Sequence, residues 1–213
     1  MIAALYVDPR GPYARMPDVD PWDETRDARC YEGPHPIVAH PPCGPWGGLR
    51  HLSRGHGRDC GPRAVEQVRA HGGVLEHPAR SKLWAHCELP RPGELSFGDP
   101  GFTIEIEQVS WGHVARKMTW LYCVGVDVNL LLATVRGGGN PTHWISGGRK
   151  PRLGGGAVPA GIKVCSEQQR RRTPPLFAQW LVLLATSAAA PSFTAPSSPD
   201  VVARARAASS DRG

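Results

Sequence analysis

Two short apolar segments of this chain end abruptly at proline, and each carries a reactive side chain where it ends. The first, residues 36–43, closes in Pro41-Pro42-Cys43, and the second, residues 72–78, closes in Glu76-His77-Pro78. Short apolar runs bounded by turn residues predict buried strands, and proline ends a strand because it has no N–H for the ladder. Ligands bind at the carboxyl ends of strands in open α/β sheets. The pattern therefore predicts an α/β domain with Cys43 and Glu76 at the ends of two successive strands.

The remaining apolar patterns are those of one α/β domain. Strands are predicted at residues 2–7, 102–108 and 120–128, and helices at residues 62–71 and 173–184. At 213 residues the chain is long enough for one domain with a substantial core. We therefore assign residues 1–186 to a single domain and expect the Ala-, Ser- and Pro-rich residues 187–213 to form a disordered tail.

Charge and cysteine content limit the partner and the compartment. The formal net charge is +6 and the pI is about 9.2, which suits a polyanionic partner. The six cysteines form no Cys-x-x-Cys pair and follow no secretory leader, so we expect reduced thiols in the cytoplasm. No apolar run reaches the length of a membrane span, about 18 residues, and no compact zinc-ligand spacing occurs. We therefore expect no membrane partner and no metal site.

The segment after Cys43 combines glycine with positive charge. A loop of this composition can close over a phosphate backbone, because Arg and Lys supply most phosphate contacts in DNA complexes. The candidate DNA-binding residues of this segment are Arg50, His51, Arg54, His56 and Arg58. A second glycine-rich block adds Arg149 and Lys150. The alternatives are a solvated basic loop for the first segment and a surface insert for the second.

Four stretches, taken together and in this order, resemble the DNA cytosine-5 methyltransferases. Pro41-Pro42-Cys43 resembles the opening of that family's catalytic loop, and Glu76-His77-Pro78 resembles its Glu-Asn-Val strand end. Residues 111–125 look like the family's Gln-x-Arg stretch, with Arg116 near the arginine, and residues 172–181 look like its closing Asn-x-Val-Pro-Pro helix. The resemblance implies a small, phage-like member with a Rossmann-like methyltransferase-type sheet, helices on both faces and a short recognition insert around residues 129–163.

The resemblance also implies an activity, methylation of position 5 of cytosine in double-stranded DNA. Cys43 would add to position 6 of a flipped cytosine, which splits one hard step into easier ones. Glu76 would be the acid beside ring nitrogen 3, and Arg116 would stabilise the exocyclic oxygen. We expect a monomer. Two alternatives remain: a relative that uses the same adduct with another one-carbon donor, and a non-catalytic DNA-binding relative.

The implied cofactor is S-adenosyl-L-methionine. The family's first strand ends in a Phe-x-Gly-x-Gly loop, whereas this chain has the single glycine Gly11 there. Tyr13 and Trp22 are therefore expected to stack on the adenine or to face the sulfonium. Asp23 or Glu24 would hold the ribose hydroxyls, with a solvated acidic turn as the alternative. The full set assigned to the cofactor is Asp8, Gly11, Tyr13, Trp22, Asp23, Pro41, Thr173 and Pro174.

Overall fold

The computed structural model describes residues 1–48, 50–53, 55–94, 98–145 and 161–188. Within them lie eight strands and five α-helices. The strands are β1 (Ile2–Leu5), β2 (Val19–Trp22), β3 (Ile37–Ala39), β4 (Gly73–Pro78), β5 (Gly101–Glu107), β6 (Met118–Val124), β7 (His143–Trp144) and β8 (Lys163–Val164). The helices are α1 (Cys60–His71), α2 (Lys82–His86), α3 (Val128–Thr134), α4 (Glu167–Arg171) and α5 (Pro175–Thr186).

Six of the strands make one mixed sheet in the order β2-β1-β3-β4-β6-β5. Strands β2, β1, β3 and β4 run parallel, whereas β6 is antiparallel to both of its neighbours, β4 and β5. The register aligns Leu5, Ala39 and Leu75 across the three central strands. The carboxyl ends of four strands therefore meet at one edge of the sheet, and the segment that carries Cys43 leaves from that edge.

Helices cover both faces of the sheet, which explains why its central strands are apolar on both sides. On one face Leu75 packs in a cluster with Val65 and Val68 of α1, and on the other Val74 packs in a cluster with Phe177 of α5. Successive side chains of a strand point to opposite faces. Glu76 therefore lies on the α5 face, together with Val74, and His77 lies on the α1 face, together with Leu75.

Gly73 fixes where β4 begins. Its φ is +116°, and a Cβ on this residue would overlap the carbonyl oxygen of Ile37 in the neighbouring strand. Only glycine adopts such a conformation at this close approach without strain. The contact sets the start of β4 against β3 and so positions Glu76, three residues further on.

The prediction of an α/β domain with helices on both faces is confirmed, but six of the described elements were not predicted: β2, β7, β8, α2, α3 and α4. Strand β2 contains Pro21 and looked like an acidic turn; it lies at the edge of the sheet, where a missing N–H is tolerated. Helix α2 lies within residues 80–101, which were expected to be irregular. The predicted tail falls outside the described residues from position 189 onward, and so do residues 146–160 of the predicted insert.

Candidate active site

Cys43 lies on the loop that leaves β3 at the carboxyl edge of the sheet, and the residue is exposed. Partial burial of its sulfur and the negative charge of Glu76 raise the pKa of Cys43, while the positive charges of Lys117 and Arg171 act in the opposite direction. The resting group is therefore a thiol. The two nearby cations favour the thiolate, which is the form that acts as a nucleophile.

The loop that begins at Cys43 folds back on itself. The Cys43 carbonyl accepts hydrogen bonds from the backbone N–H groups of Trp46 and Gly47, at 3.1 and 2.8 Å. At the far end of the loop Gly57 has a φ of +69°, and a Cβ there would lie 3.2 Å from Cγ of Pro42. The loop therefore closes against the proline that precedes Cys43, which keeps its basic residues at the same edge of the sheet.

Glu76 is the centre of a buried polar cluster. Its Oε2 lies 3.0 Å from Nδ1 of His40, and its Oε1 lies 2.8 Å from Nε2 of Gln108. The ammonium of Lys117 is 3.8 Å from Oε1, and the hydroxyl of Thr119 is 3.5 Å from the same oxygen. We call these five residues the Glu76 cluster. Three strands and the turn after β5 thus converge on one carboxylate.

Positive charge keeps this carboxylate ionised. Burial raises the pKa of Glu76, but the Lys117 ammonium and the His40 side chain outweigh burial and hold the pKa well below its usual range. An ionised carboxylate only accepts hydrogen bonds, so Nδ1 of His40 and Nε2 of Gln108 are the donors. At neutral pH Glu76 has no proton to give, which differs from the protonated acid that the resemblance implies.

Tyr13 connects the Glu76 cluster to the segment after β1. Its hydroxyl is 2.7 Å from Nε2 of His40, and its side chain is only 2 % exposed. Burial and the charge of Glu76 raise the pKa of Tyr13 well above its usual value, so the phenol keeps its proton. Tyr13 is a partner of His40, and it lies away from any open surface on which an adenine ring could stack.

His77 follows Glu76 in sequence but lies on the opposite face of the sheet, 6.3 Å from the ring of Trp84. It is fully buried, and burial lowers the pKa of His77 to about 4. Among the described residues neither of its ring nitrogens has a hydrogen-bond partner of good geometry, although the Pro42 carbonyl lies near the ring. His77 is therefore uncharged at neutral pH and supports the peptide that leads into Cys43.

Arg116 is not brought to Glu76. Its side chain is 62 % exposed and lies 3.7 Å from the carboxylate of Glu107, with which it lines a surface cavity of about 390 Å³. The next residue, Lys117, is 14 % exposed and faces Glu76 instead. Successive residues of an extended segment point in opposite directions, so a shift of one position separates the two cations. Lys117 is the cation of this site that the sequence analysis did not identify.

The residues assigned to the cofactor fit it in part. Asp8 and Asp23 follow β1 and β2 at the carboxyl edge, and Gly11 forms a tight turn in which a Cβ would lie 2.9 Å from the Asp8 carbonyl oxygen. The ring of Trp22, in contrast, is covered by the guanidinium of Arg26 at 4.0 Å. Asp8, Gly11 and Asp23 thus lie in the segments that follow β1 and β2, whereas the side chains of Tyr13 and Trp22 contact His40 and Arg26.

The remaining cofactor candidates border the same edge of the sheet. Pro41 and Pro174 are buried, and Thr173 is half-buried. Pro174 directly precedes α5, which packs against β1, β3 and the turn that contains Tyr13. Helix α5 therefore lies close to the segment that leaves β1.

The basic loop presents its charges to solvent. Arg50, His51 and Arg58 line a surface cavity of about 510 Å³, and the guanidinium of Arg58 lies 5.0 Å from the centre of the Trp46 ring. His56 is also exposed. The other three candidates, Arg54, Arg149 and Lys150, lie outside the described residues.

The sequence did carry a signal for the unpredicted members of the Glu76 cluster. Thr119 lies on the same face of β6 as the buried residues Leu121 and Cys123, so it interrupts an apolar alternation with a hydroxyl. Gln108 is 1 % exposed directly after β5. A polar residue at a position that the period would bury indicates an internal hydrogen bond, and here the bond leads to Glu76.

In the part of the chain that the structure describes, no group of three or more His, Cys, Asp or Glu side chains is placed to hold a metal ion. In the same residues, every helix is too short or too polar to span a membrane. Comparisons with family models, with curated proteins and with solved structures each found no match. What the site does must therefore be inferred from its geometry.

Proposed function

We propose that this protein is a DNA cytosine-5 methyltransferase-like enzyme that acts through a Cys43 adduct at position 6 of a flipped cytosine. The observation that supports this most is the pairing at one sheet edge of an exposed thiol with a buried, ionised carboxylate, Glu76. His40, three residues before Cys43, is hydrogen-bonded to that carboxylate. The sheet, with β6 antiparallel between β4 and β5, is compatible with a Rossmann-like methyltransferase-type sheet.

Cys43 would supply the nucleophile. The thiol loses its proton, which the charges of Lys117 and Arg171 favour, and a bond forms between Sγ and position 6 as the double bond between positions 5 and 6 opens. Position 5 becomes electron-rich and ready to take a one-carbon group. Once the one-carbon group is bonded to position 5, the proton of position 5 passes to water, the double bond between positions 5 and 6 forms again and the Cys43 thiolate is expelled.

We propose that Lys117 stabilises the negative charge created by this addition. Negative charge develops on ring nitrogen 3 and on the exocyclic oxygen, and an ammonium held in a partly buried site stabilises it strongly. Glu76 fixes that ammonium at 3.8 Å and fixes His40 through a hydrogen bond. In this scheme Lys117 takes the role expected of Arg116, and Glu76 orients the donors in place of giving a proton.

S-adenosyl-L-methionine, when bound, would supply the methyl group for position 5. Asp8, Gly11 and Asp23 would hold it at the carboxyl ends of β1 and β2. The coverage of Trp22 by Arg26 and the burial of Tyr13 favour a second candidate, the same Cys43 adduct used with another one-carbon donor.

Double-stranded DNA is the proposed partner, with phosphates bound by the basic loop. Charge reversal at Arg50 and Arg58 should weaken binding and reduce the salt dependence of log affinity by roughly one unit for each lost contact. Arg91→Glu, at an exposed arginine elsewhere on the surface, is the matched control and should leave the slope unchanged. An unchanged slope in the loop variants would place the DNA elsewhere.

Mass spectrometry of nucleosides from mixed-sequence DNA tests the reaction. The wild-type protein with S-adenosylmethionine should produce 5-methyldeoxycytidine, Cys43→Ala should produce none, and Cys30→Ala, which removes another exposed thiol, should be fully active. Full activity of Cys43→Ala would exclude the covalent mechanism. A product only with a folate donor would identify the second candidate, and DNA binding without any product would identify a non-catalytic relative.

A further inference from the structure

One polar atom of the Gln108 side chain, Oε1, lacks a hydrogen-bond partner among the described residues. Its Nε2 lies 2.8 Å from Oε1 of Glu76 and 3.0 Å from Oγ1 of Thr119. Its Oε1 is buried and has no hydrogen-bond partner among the residues that the structure describes. Natural proteins contain few such atoms, because an unpaired buried acceptor loses its bonds to water without replacement.

The charge of Glu76 fixes which end of the Gln108 amide is left unpaired. A carboxylate without a proton repels an amide oxygen and attracts an amide N–H. The alternative orientation would place Oε1 of Gln108 against Oε1 of Glu76, oxygen against oxygen. The free acceptor is therefore a property of the cluster, set by the same Lys117 and His40 that keep Glu76 ionised.

Both oxygens of Glu76 already have partners, so recognition is left to its neighbours. His40 occupies one of its oxygens, and Gln108, Lys117 and Thr119 surround the other. The groups that this cluster leaves for a ligand are the ammonium of Lys117 and the buried, unpaired carbonyl oxygen of Gln108. The side chains of His40 and Lys117 are 11 % and 14 % exposed, so the cluster lies just below the surface at the edge where Cys43 emerges.

These two groups match one class of base. A 4-aminopyrimidine presents an N–H donor at position 4 beside acceptors at nitrogen 3 and the exocyclic oxygen, whereas a 4-oxopyrimidine presents an oxygen at position 4. An oxygen there would face Oε1 of Gln108 and leave both acceptors unpaired. Sites built to bond a specific N–H reject analogues that lack it.

We propose that Gln108 is a specificity-determining residue whose Oε1 accepts a hydrogen bond from the 4-amino group of cytosine bound against Cys43. The inference rests on the proposed function and extends it, because it assigns the choice of cytosine over uracil to a residue outside the motifs of the resemblance. No bond is made or broken by Gln108, so its effect is on base selection and binding.

The test is binding of single-stranded oligonucleotides, which needs neither a methyl donor nor a known target sequence. Two nine-residue oligodeoxyadenylates, with one central cytosine or one central uracil, share the same phosphate contacts. Fluorescence anisotropy should show that the wild-type protein prefers the cytosine oligonucleotide by roughly 10- to 100-fold. Gln108→Met, which keeps the length of the side chain without either amide atom, should bind the two within about 2-fold, as expected when the hydrogen bond is lost.

Gln168→Met, the same substitution at an exposed glutamine outside the Glu76 cluster, is the matched control. It should retain the preference for cytosine, whatever its overall affinity. Gln108→Glu gives a second variant: its carboxyl group must keep a proton to lie against Glu76, and it still presents a carbonyl oxygen, so the preference should return as the pH is lowered.

The outcomes separate this inference from the proposed reaction. Equal binding of both oligonucleotides by the wild-type protein, or a Gln108→Met protein that keeps the preference, overturns the role of Gln108. Failure to bind either oligonucleotide also overturns the role of Gln108, whereas the double-stranded DNA partner is tested by the salt dependence of the basic-loop variants. A preference for cytosine that depends on Gln108 stands even if no methylated product forms, in which case only the reaction is refuted.

Discussion

Glu76 and His77 are adjacent in β4, and both are buried, yet the protein keeps one charged and the other neutral. Glu76 faces α5 and is surrounded by donors, which hold it ionised against the cost of burial. His77 faces α1, lies against Trp84 and has a pKa lowered to about 4. The difference follows from the alternation of the strand, which sends one residue into a polar cluster and the next into an aromatic one.

This contrast shows that the fold places its polar contacts around Glu76 and not around His77. A buried charge is retained only where partners compensate for its lost hydration, and a buried ionisable group without partners becomes neutral. The Glu76 face therefore has the properties of a reactive site, with fixed charges just below the surface. The His77 face has those of a support, which holds the peptide before Cys43 without contributing charge.

The largest effect should come from removing the cation of the Glu76 cluster. Lys117→Met keeps the length of the side chain but leaves a buried carboxylate without its ion pair, which costs roughly 3–5 kcal/mol in the free energy of unfolding. Arg116→Met, at the exposed neighbour, should change stability by no more than about 0.5 kcal/mol. Urea denaturation at pH 7 measures both.

The pH dependence of this deficit checks its cause. A carboxyl group whose pKa is depressed on folding contributes stability above its ordinary pKa of 4.5, and that contribution is lost as the pH falls. The difference between the wild-type protein and Lys117→Met should therefore shrink below about pH 4.5. A deficit that is constant with pH would indicate lost packing of the lysine stem, and the contrast with His77 would weaken.

The opposite face should respond to acid in a different range. The ordinary pKa of histidine, 6.5, exceeds the value of about 4 for buried His77, so the unfolded chain takes up the proton first. The stability that this residue contributes is complete above pH 6.5 and falls as the pH drops toward 4, by up to roughly 3 kcal/mol. His77→Phe should flatten the stability profile in that range.

Two other histidines should also contribute to the loss of stability in acid. Burial also lowers the pKa of His71 and of His113, so part of the acid sensitivity should remain in His77→Phe. His56→Phe, at an exposed histidine, should leave the whole profile unchanged. If both variants had the wild-type profile between pH 4 and 6.5, His77 would be hydrated in solution and its contrast with Glu76 would not hold.

Much of this arrangement could be predicted from the sequence, and what was missed has a physical reason. Proline marks the end of β3 and β4 locally, so Cys43 and Glu76 could be placed without knowledge of the fold. The partners of Glu76 could not, because Lys117 and Thr119 reach it only through the antiparallel register of β6 on β4. Periodicity gives the faces of a strand but not its register, and a shift of one residue exchanges Arg116 for Lys117.

Loss of the Glu76 charge should mainly lower turnover, whereas a change at His77 should mainly lower stability. Glu76→Gln removes the charge that orients Lys117 and His40, and turnover should fall roughly 100-fold or more, as expected when a preorganised charge-stabilising group is lost. DNA affinity should change little. His77→Gln should lower stability more than turnover. Wild-type turnover in Glu76→Gln, measured by nucleoside mass spectrometry, would remove the Glu76 cluster from the reaction.

The smallest effects are expected for two tyrosines that each lie next to a histidine, Tyr13 on the α5 face and Tyr31 on the α1 face. Tyr13→Phe removes the hydrogen bond to His40 and should cost about 0.5–1.5 kcal/mol in stability, with a several-fold loss of turnover because His40 is less well fixed. Tyr31→Phe on the α1 face removes the bonds of the Tyr31 hydroxyl to the backbone of His35 and should cost similar stability with no loss of turnover.

Calorimetric titration of both variants with S-adenosylhomocysteine completes the comparison, because the Tyr13 phenol, which is 2 % exposed, should not contribute to cofactor affinity. Weaker binding in Tyr13→Phe alone would return Tyr13 to the cofactor site and show that the segment after β1 opens when the cofactor binds.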